Sequence, residues 1–318
     1  MRPIGGELEI IKEQNNLFFT DSGRSSLRLF LRTNKYKNKK YLLPNFFCEV
    51  IEKIFIEEDI EYKFYNILDN LTIELDSILS QEYDVLYIIN YFGMIQNLSS
   101  IDTSNKIIIE DNVFFQDFNN INNYKNWFGF NSFRKITSLP DGSMIKTNLD
   151  IEGTLIINGD APFSEIKIEA KNIKYNYIYF KKGTEKQYLN LFKEAEDILN
   201  EQRKIYSIST NAIVQLNKFS NDQEVMKRRY EYLKKIFLKY SFHIDISYYT
   251  FFVLTLQNRD DFRKYMMSKN IFLPIHWPIS TQQNKLYNEI ISIPLFSQYN
   301  NDEFYYMVNA IKEYVCKI

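Results

Sequence analysis

Glu110, Asp111 and Asn112 close an apolar run, Ile107-Ile108-Ile109, that reads as a buried parallel strand delivering a carboxylate to the C-terminal edge of a sheet. Ligands of open α/β sheets collect at that edge. Further on, Arg134 and Lys135 precede Pro140-Asp141-Gly142, a turn signal that places the lysine on a constrained loop rather than inside a helix. An acid at a strand end and an amine on a downstream loop are what a pyridoxal phosphate site requires. The amine condenses with the cofactor aldehyde, and the carboxylate keeps the pyridine nitrogen protonated so that the ring draws electrons. Asp111 and Lys135 would take those roles. Each also has an ordinary use, the acid as a helix cap and the lysine as a solvated charge.

Such a site needs a place for a phosphate. Leu17-Phe18-Phe19, a short strand, is followed by Thr20-Asp21-Ser22-Gly23-Arg24-Ser25-Ser26 and the helical pattern Leu27, Leu29, Phe30, Leu31. Free backbone amides and the helix dipole make a strand, turn and helix start into an anion site. A plain N-cap by Asp21 or Ser22 is the competing use, since the segment is neither a P-loop nor a dinucleotide fingerprint.

The elements that must position these groups alternate in type. Strands are expected at Lys40–Pro44, Tyr62–Tyr65 and Asp84–Asn90, the last ending in Tyr91-Phe92-Gly93. Helices are expected at Glu49–Phe55, after Asn45-Phe46-Phe47-Cys48, and at Asp69–Leu79. Alternation at this spacing predicts a mainly parallel α/β sheet. Beyond it, strands are expected at Ser143–Thr147 and Leu155–Ile157, and a long charged helix over Lys182–Tyr206 with an apolar stripe from Tyr188 to Leu199. A basic helix over Asn221–Tyr240 carries Lys227-Arg228-Arg229, read as a solvated face. The last hundred or so residues read as a smaller α+β lobe: strand Thr250–Leu256, helix Asp260–Ser268, an extended Ile271–Pro278, edge strand Ile291–Leu295 and helix Asn301–Val315. The expected division is a large lobe over 1–206 and a small one over 207–318, tightly connected because no low-complexity linker separates them.

Composition bounds the rest. The 318 residues can bury a large core, and 39 basic against 40 acidic side chains leave no field that would favour nucleic acid or an anionic membrane. Cys48 and Cys316 stand far apart, which fits a reducing compartment, and with only His243 and His276 a multi-histidine metal site is nearly excluded. No apolar run approaches the ~20 residues of a membrane helix, and Met1–Ile10 shows no signal-peptide pattern, so a cytoplasmic protein is expected.

In this order the landmarks resemble the DegT/DnrJ/StrS family of pyridoxal-phosphate-dependent sugar aminotransferases over almost the whole chain, and most of all a shorter branch of it. The features that carry the resemblance are Ile4-Gly5-Gly6, Ser22-Gly23-Arg24, Asn90-Tyr91-Phe92-Gly93, Arg134-Lys135 with Pro140-Asp141-Gly142, His276-Trp277-Pro278 and Ile291-Ser292-Ile293-Pro294. The resemblance implies a type I aminotransferase fold: a mostly parallel mixed sheet in a large lobe, a small C-terminal α+β lobe, and an active site at a homodimer interface. It implies Lys135 as the cofactor-carrying lysine and general acid/base, and Asp111 as partner of the pyridine nitrogen. Gly23, Arg24 and Ser25 would contact the phosphate, with Asn90 and Ser132 also on the cofactor side. Phe47 would stack on the ring, although an offset of one residue would give Cys48. Tyr91, Arg134, His276 and Trp277 fall to the substrate side, the last two near the cofactor mouth or dimer interface.

The implied reaction moves an amino group from a donor such as glutamate to a keto sugar, expected to be nucleotide-linked, in surface-polysaccharide or amino-sugar synthesis. The sequence also departs from the family. Phe114 stands where members carry Gln or His, Ser143 where they carry a second Gly after Asp-Gly, the Ser132 to Lys135 spacing is short, and no Gly-Tyr-Asn-Tyr-Arg segment occurs. A binding or regulatory protein on the same scaffold, or another reaction of the cofactor such as dehydration or decarboxylation, are the alternatives. The retained Lys135 argues against a dehydratase.

Overall fold

The computed structural model describes residues 16–316 apart from 217, 220, 243, 278–281 and 283; Ile4–Gly6, His243 and Pro278 therefore lie outside the described residues. Nine strands occur among the described residues: β1 (Asn16–Thr20), β2 (Tyr41–Pro44), β3 (Tyr62–Tyr65), β4 (Val85–Ile89), β5 (Ile107–Asp111), β6 (Trp127–Phe130), β7 (Ser143–Thr147), β8 (Phe251–Thr255) and β9 (Ile290–Pro294). The first seven form one sheet in the order β1-β7-β6-β5-β4-β2-β3, with β5 at its centre, and β8 pairs with β9 alone. β5 runs parallel to β4 and β6, and only β7 is antiparallel, to β6 and to β1. The mostly parallel mixed sheet expected from the alternating pattern is present. Register places Asp111 between Ile89 and Phe130. Ile108 and Ile109 are fully buried, each removing apolar surface worth about 1.5–3 kcal/mol.

Eight helices matter here: α1 (Gly23–Arg32), α2 (Glu49–Glu57), α3 (Phe133–Ile136), α4 (Pro162–Phe180), α5 (Glu185–Glu201), α6 (Gln223–Ile236), α7 (Arg259–Ser268) and α8 (Asn301–Val315). α4 and α5 form an antiparallel hairpin. Its turn uses the left-handed Lys181 at φ 55° and Gly183 at φ 83°, and a capping box of Thr184 and Gln187 starts α5. The larger core wraps the seven-stranded sheet; a second cluster, from Met226 to Val315, packs α6, α7 and α8 on β8 and β9.

Several expectations change. Asp69–Leu79 is helical only over Leu75–Leu79, because Leu71 takes a left-handed φ of 67° and Ile67 bridges Ile73. Leu155–Ile157 is not a ladder strand: Gly153–Leu155 is a 3₁₀ turn and Ile157 makes one bridge to Tyr206. The long charged helix is confined to Glu185–Glu201. Arg229 does not lie on a solvated face; it is buried and donates to the carbonyls of Leu295, Phe296 and Tyr299, while Lys227 and Arg228 stay exposed. No helix of the described residues is long and apolar enough to cross a membrane.

Candidate active site

β5 ends where the sequence reading placed it, with Asp111 buried at the sheet's C-terminal edge. Its Oδ2 accepts from the Tyr87 hydroxyl at 2.6 Å and its Oδ1 from the Val113 amide at 3.1 Å. Burial pushes the carboxyl up to about 6, against the opposing pull of those two hydrogen bonds and of the Lys135 charge. Tyr87 was not anticipated. The signal for it was there: on β4 it shares a face with Ile89, the register partner of Asp111.

Lys135 lies in α3, a single helical turn rather than the constrained loop expected from the Pro-Asp-Gly signal. That turn is clamped: the Phe133 amide donates to Gly142 O at 3.0 Å and the Thr137 hydroxyl to Phe133 O at 2.7 Å. Gly142 is required, since its φ is +107° and a Cβ there would stand 2.7 Å from Ile208 Cδ1. The Lys135 side chain is open to solvent, yet its amine is held below the usual lysine range. The protein around it is the first cause and the Arg134 charge the second, with Cys48 and Glu196 acting the other way. Asp111 and His276 both feel the Lys135 charge, so the structure brings the predicted acid and amine into one site.

At the start of α1, Ser22 is the N-cap, accepting from the Ser25 amide at 3.3 Å, so the capping role is realised. The amides of Gly23 and Arg24 take no protein acceptor among the described residues, which leaves two donors for an anion. A Cβ on Gly23 would lie 3.0 Å from Asn131 O. Asp21 is turned away, accepting from Gln202, the Tyr206 amide and Ser22, and burial raises its pKa.

The other residues divide. Phe47 is buried with its ring 5.7 Å from Phe64, whereas Cys48, its half-buried neighbour, is felt by the charges of both Arg24 and Lys135. The Ser132 carbonyl accepts the Lys135 amide, and its hydroxyl has no protein partner among the described residues. Asn90 follows Ile89, the register partner of Asp111, and so turns to the face opposite Asp111. It donates to Asn112 at 2.6 Å, accepts from the Gln96 amide, and lines a cavity of about 190 Å³ with Glu110, Phe115 and Tyr248. Glu110 follows the strand alternation onto the face opposite Asp111, where burial lifts it to about 7 although Trp127 Nε1 donates to it at 2.7 Å. Arg134 pairs with Glu196 of α5 at 2.6 Å, and Lys167 of α4 binds the same oxygen. Nothing in the sequence pattern linked those helices to the site.

His276, Trp277 and Tyr91 form an aromatic wall with Phe92 and Phe114. His276 Nδ1 shares a 2.7 Å hydrogen bond with Ser292, and burial, then the Lys135 charge, drive its pKa down to about 3, so the ring is neutral. It lies 4.8 Å from Phe251 and 5.0 Å from Phe114, which explains how an apolar residue is accommodated after Asp111. Trp277, at a left-handed φ of 65°, packs on Phe46 and Tyr91, and the Tyr91 hydroxyl donates to Phe46 O. These residues fasten the β8–β9 unit to the edge of the large sheet.

Among known proteins, a dTDP-3-amino-3,6-dideoxy-α-D-galactopyranose transaminase of Aneurinibacillus thermoaerophilus is 26% identical over 180 residues, 51% of this chain and 47% of that protein. The chain thus aligns with about half the length of this curated relative. DesV of S. venezuelae superposes with a TM-score of 0.63 at 11% identity, covering 94% of this chain and 84% of that one. A DegT DnrJ EryC1 StrS aminotransferase of Brucella abortus gives 0.59 at 14% identity, covering 94% and 85%. The chain matches no protein-family model. The fold is the one these aminotransferase structures share, and over 180 residues the sequence is similar to that of the transaminase.

Proposed function

We propose that the protein is a pyridoxal-phosphate-dependent aminotransferase that transfers an amino group from an amino acid such as glutamate to a keto sugar carried on a nucleotide. The convergence of Lys135 and Asp111, an amine with a lowered pKa and a buried acid at a strand edge, is the observation that carries this reading. The residues present fit the cofactor. Asp111 would face the pyridine nitrogen, the Gly23 and Arg24 amides with Ser25 would hold the phosphate, and Cys48 would lie against the ring. The bound cofactor supplies an electron-withdrawing ring. Lys135, less basic than a free lysine, gives up its proton more readily and so can carry a proton between two carbons of the bound ligand. Neutral His276 and the aromatic wall exclude water on that side.

The sugar substrate is supported by the transaminase relative, and a role in amino-sugar or surface-polysaccharide synthesis follows from it. We place the protein in the cytoplasm as a homodimer, with a large lobe over 1–206 and a small lobe over 207–318; the separate core cluster from Met226 onward supports that division. The test is the visible spectrum of purified protein with added cofactor, then borohydride reduction and peptide mapping. A bleachable band and a pyridoxyl mass on Lys135, followed by 2-oxoglutarate release from glutamate when keto-sugar nucleotides are supplied, is the expected result. The absence of both band and adduct would refute the reading. A band without amino transfer from any donor would favour another reaction of the cofactor or a binding role.

A further inference from the structure

Beside Lys135 three cations share one carboxylate, and a fourth, Lys171, feels the charge of one of them, Arg134. Glu196 Oε1 accepts Arg134 Nη1 at 2.6 Å and also the Lys167 ammonium, and Arg24 Nη2 approaches Oε2 at 3.9 Å. Arg24 spends its Nη1 on Asn200 at 2.8 Å. Lys171, one turn after Lys167 on α4, is half-buried and takes no acceptor among the described residues. Arg134 Nε is buried and also lacks a partner. Four positive charges against one leave a surplus of three.

The surplus is costly where water is scarce. Arg134 and Lys167 side chains are 11% and 9% exposed. Burial, then the neighbouring Arg134 charge, lowers Lys167 to about 8; burial, Lys174 and Arg134 lower Lys171 to about 8. Partly desolvated cations without counter-charge are unfavourable, and a polyvalent anion seated among them would offset that. The cluster also adjoins the catalytic amine, since the charges of Arg134, Glu196 and Arg24 all act on Lys135. It is distinct from the two free amides of α1, which suit a single phosphoryl group.

We propose that Arg24, Arg134, Lys167 and Lys171 form a phosphoryl-anion site, built on the α4–α5 hairpin, that grips the diphosphate linking the substrate's sugar to its nucleoside. The assignment to substrate rests on the aminotransferase reading above; the anion site itself does not. α4 and α5 thereby become substrate-orienting elements, holding the charged end of the ligand while its keto carbon reaches Lys135.

The test titrates inorganic pyrophosphate into cofactor-loaded protein by calorimetry, for wild type, Lys171→Gln and the charge-keeping Lys171→Arg. Wild type should bind, more weakly at higher salt. Lys171→Gln should weaken binding about tenfold, as one charge-assisted contact is worth, and Lys171→Arg should largely restore it. The visible band and the Lys135 adduct should be unchanged in both. Absent binding, or equal affinity in all three proteins, overturns the proposal. So does a Lys171→Gln protein that loses pyridoxal phosphate while holding phosphate-free pyridoxal like wild type, because the cluster then serves the cofactor. If wild type forms no band yet binds pyrophosphate in a Lys171-dependent way, the anion site stands and the cofactor reading falls.

Discussion

Asp111→Asn should make the cofactor-free protein more stable while impairing its chemistry. The carboxyl is 3% exposed and its pKa rises from 3.8 to about 6, with burial the largest cause. A shift of roughly two units, at about 1.4 kcal/mol each, is a folding penalty of about 3 kcal/mol for holding the charge. For an acid with a raised folded-state pKa, the penalty is absent well below 3.8, grows as pH rises and is complete above about 6. Asparagine removes the charge and keeps the local hydrogen bonds: its Oδ1 can accept from the Val113 amide, and its Nδ2 can donate to the Tyr87 oxygen. The stability gap between variant and wild type should therefore open by about 3 kcal/mol, mostly between pH 4 and 6.5, whatever constant offset the substitution adds. Urea unfolding of both apo proteins across that range reads it as a midpoint difference that grows by about 1 M. Added cofactor should narrow the gap, because a protonated ring nitrogen supplies the counter-charge that Asp111 lacks. Stability curves that stay parallel with pH would refute the reasoning.

Lys135→Ala should abolish the borohydride-fixed pyridoxyl adduct and leave the melting temperature nearly unchanged, since the side chain is exposed and outside the core; an adduct on another lysine in the wild type would sink the assignment. Phe47→Ala should cost about 3–5 kcal/mol in denaturant unfolding without moving the cofactor band, whereas Cys48→Ala should shift the band and cost little; the reverse pattern would return Phe47 to the ring. Arg229→Met removes the donor to three carbonyls and the cation 4.8 Å over Phe304, and should destabilise by about 2–4 kcal/mol without altering cofactor affinity.

What the sequence made legible was whatever local chemistry dictates. The Ile107–Ile109 run ending in acids could be placed at a sheet edge because apolar continuity and a polar stop have one common meaning in a parallel sheet. Ser22-Gly23 before an amphipathic segment could be placed at a helix start for a similar reason. Longer-range pairings stayed hidden. α4 reads as Ile-Lys-Ile-Glu-Ala-Lys-Asn-Ile-Lys-Tyr-Asn-Tyr-Ile-Tyr-Phe, nearly a strand's alternation, so neither the helix nor its lysines pointed at the site. Trp127–Phe130 is only four residues and carries a glycine, too short a stretch to declare itself as a central strand. Phe47 against Cys48 turned on the direction of one side chain past a strand end, which spacing does not contain.

The departure at Ser143 acquires a physical meaning once these contacts are seen. Its hydroxyl donates to Asn131 O at 2.5 Å and meets the Ser26 hydroxyl at 2.7 Å, while the adjacent Gly142 amide donates to Asp21 O at 2.7 Å. Asp21 and Ser26 flank the turn that offers free amides, and Gly142 O holds the start of the helical turn carrying Lys135. Both functional halves, the amine and the anion turn, are thus tied through the same two residues. A glycine at 143 would keep the backbone path but remove the hydroxyl that spans β7, α1 and the β6–α3 connection. Ser143 is therefore a tether that fixes the turn carrying Lys135 relative to the start of α1, as the proposed cofactor, held by both its ends, would require.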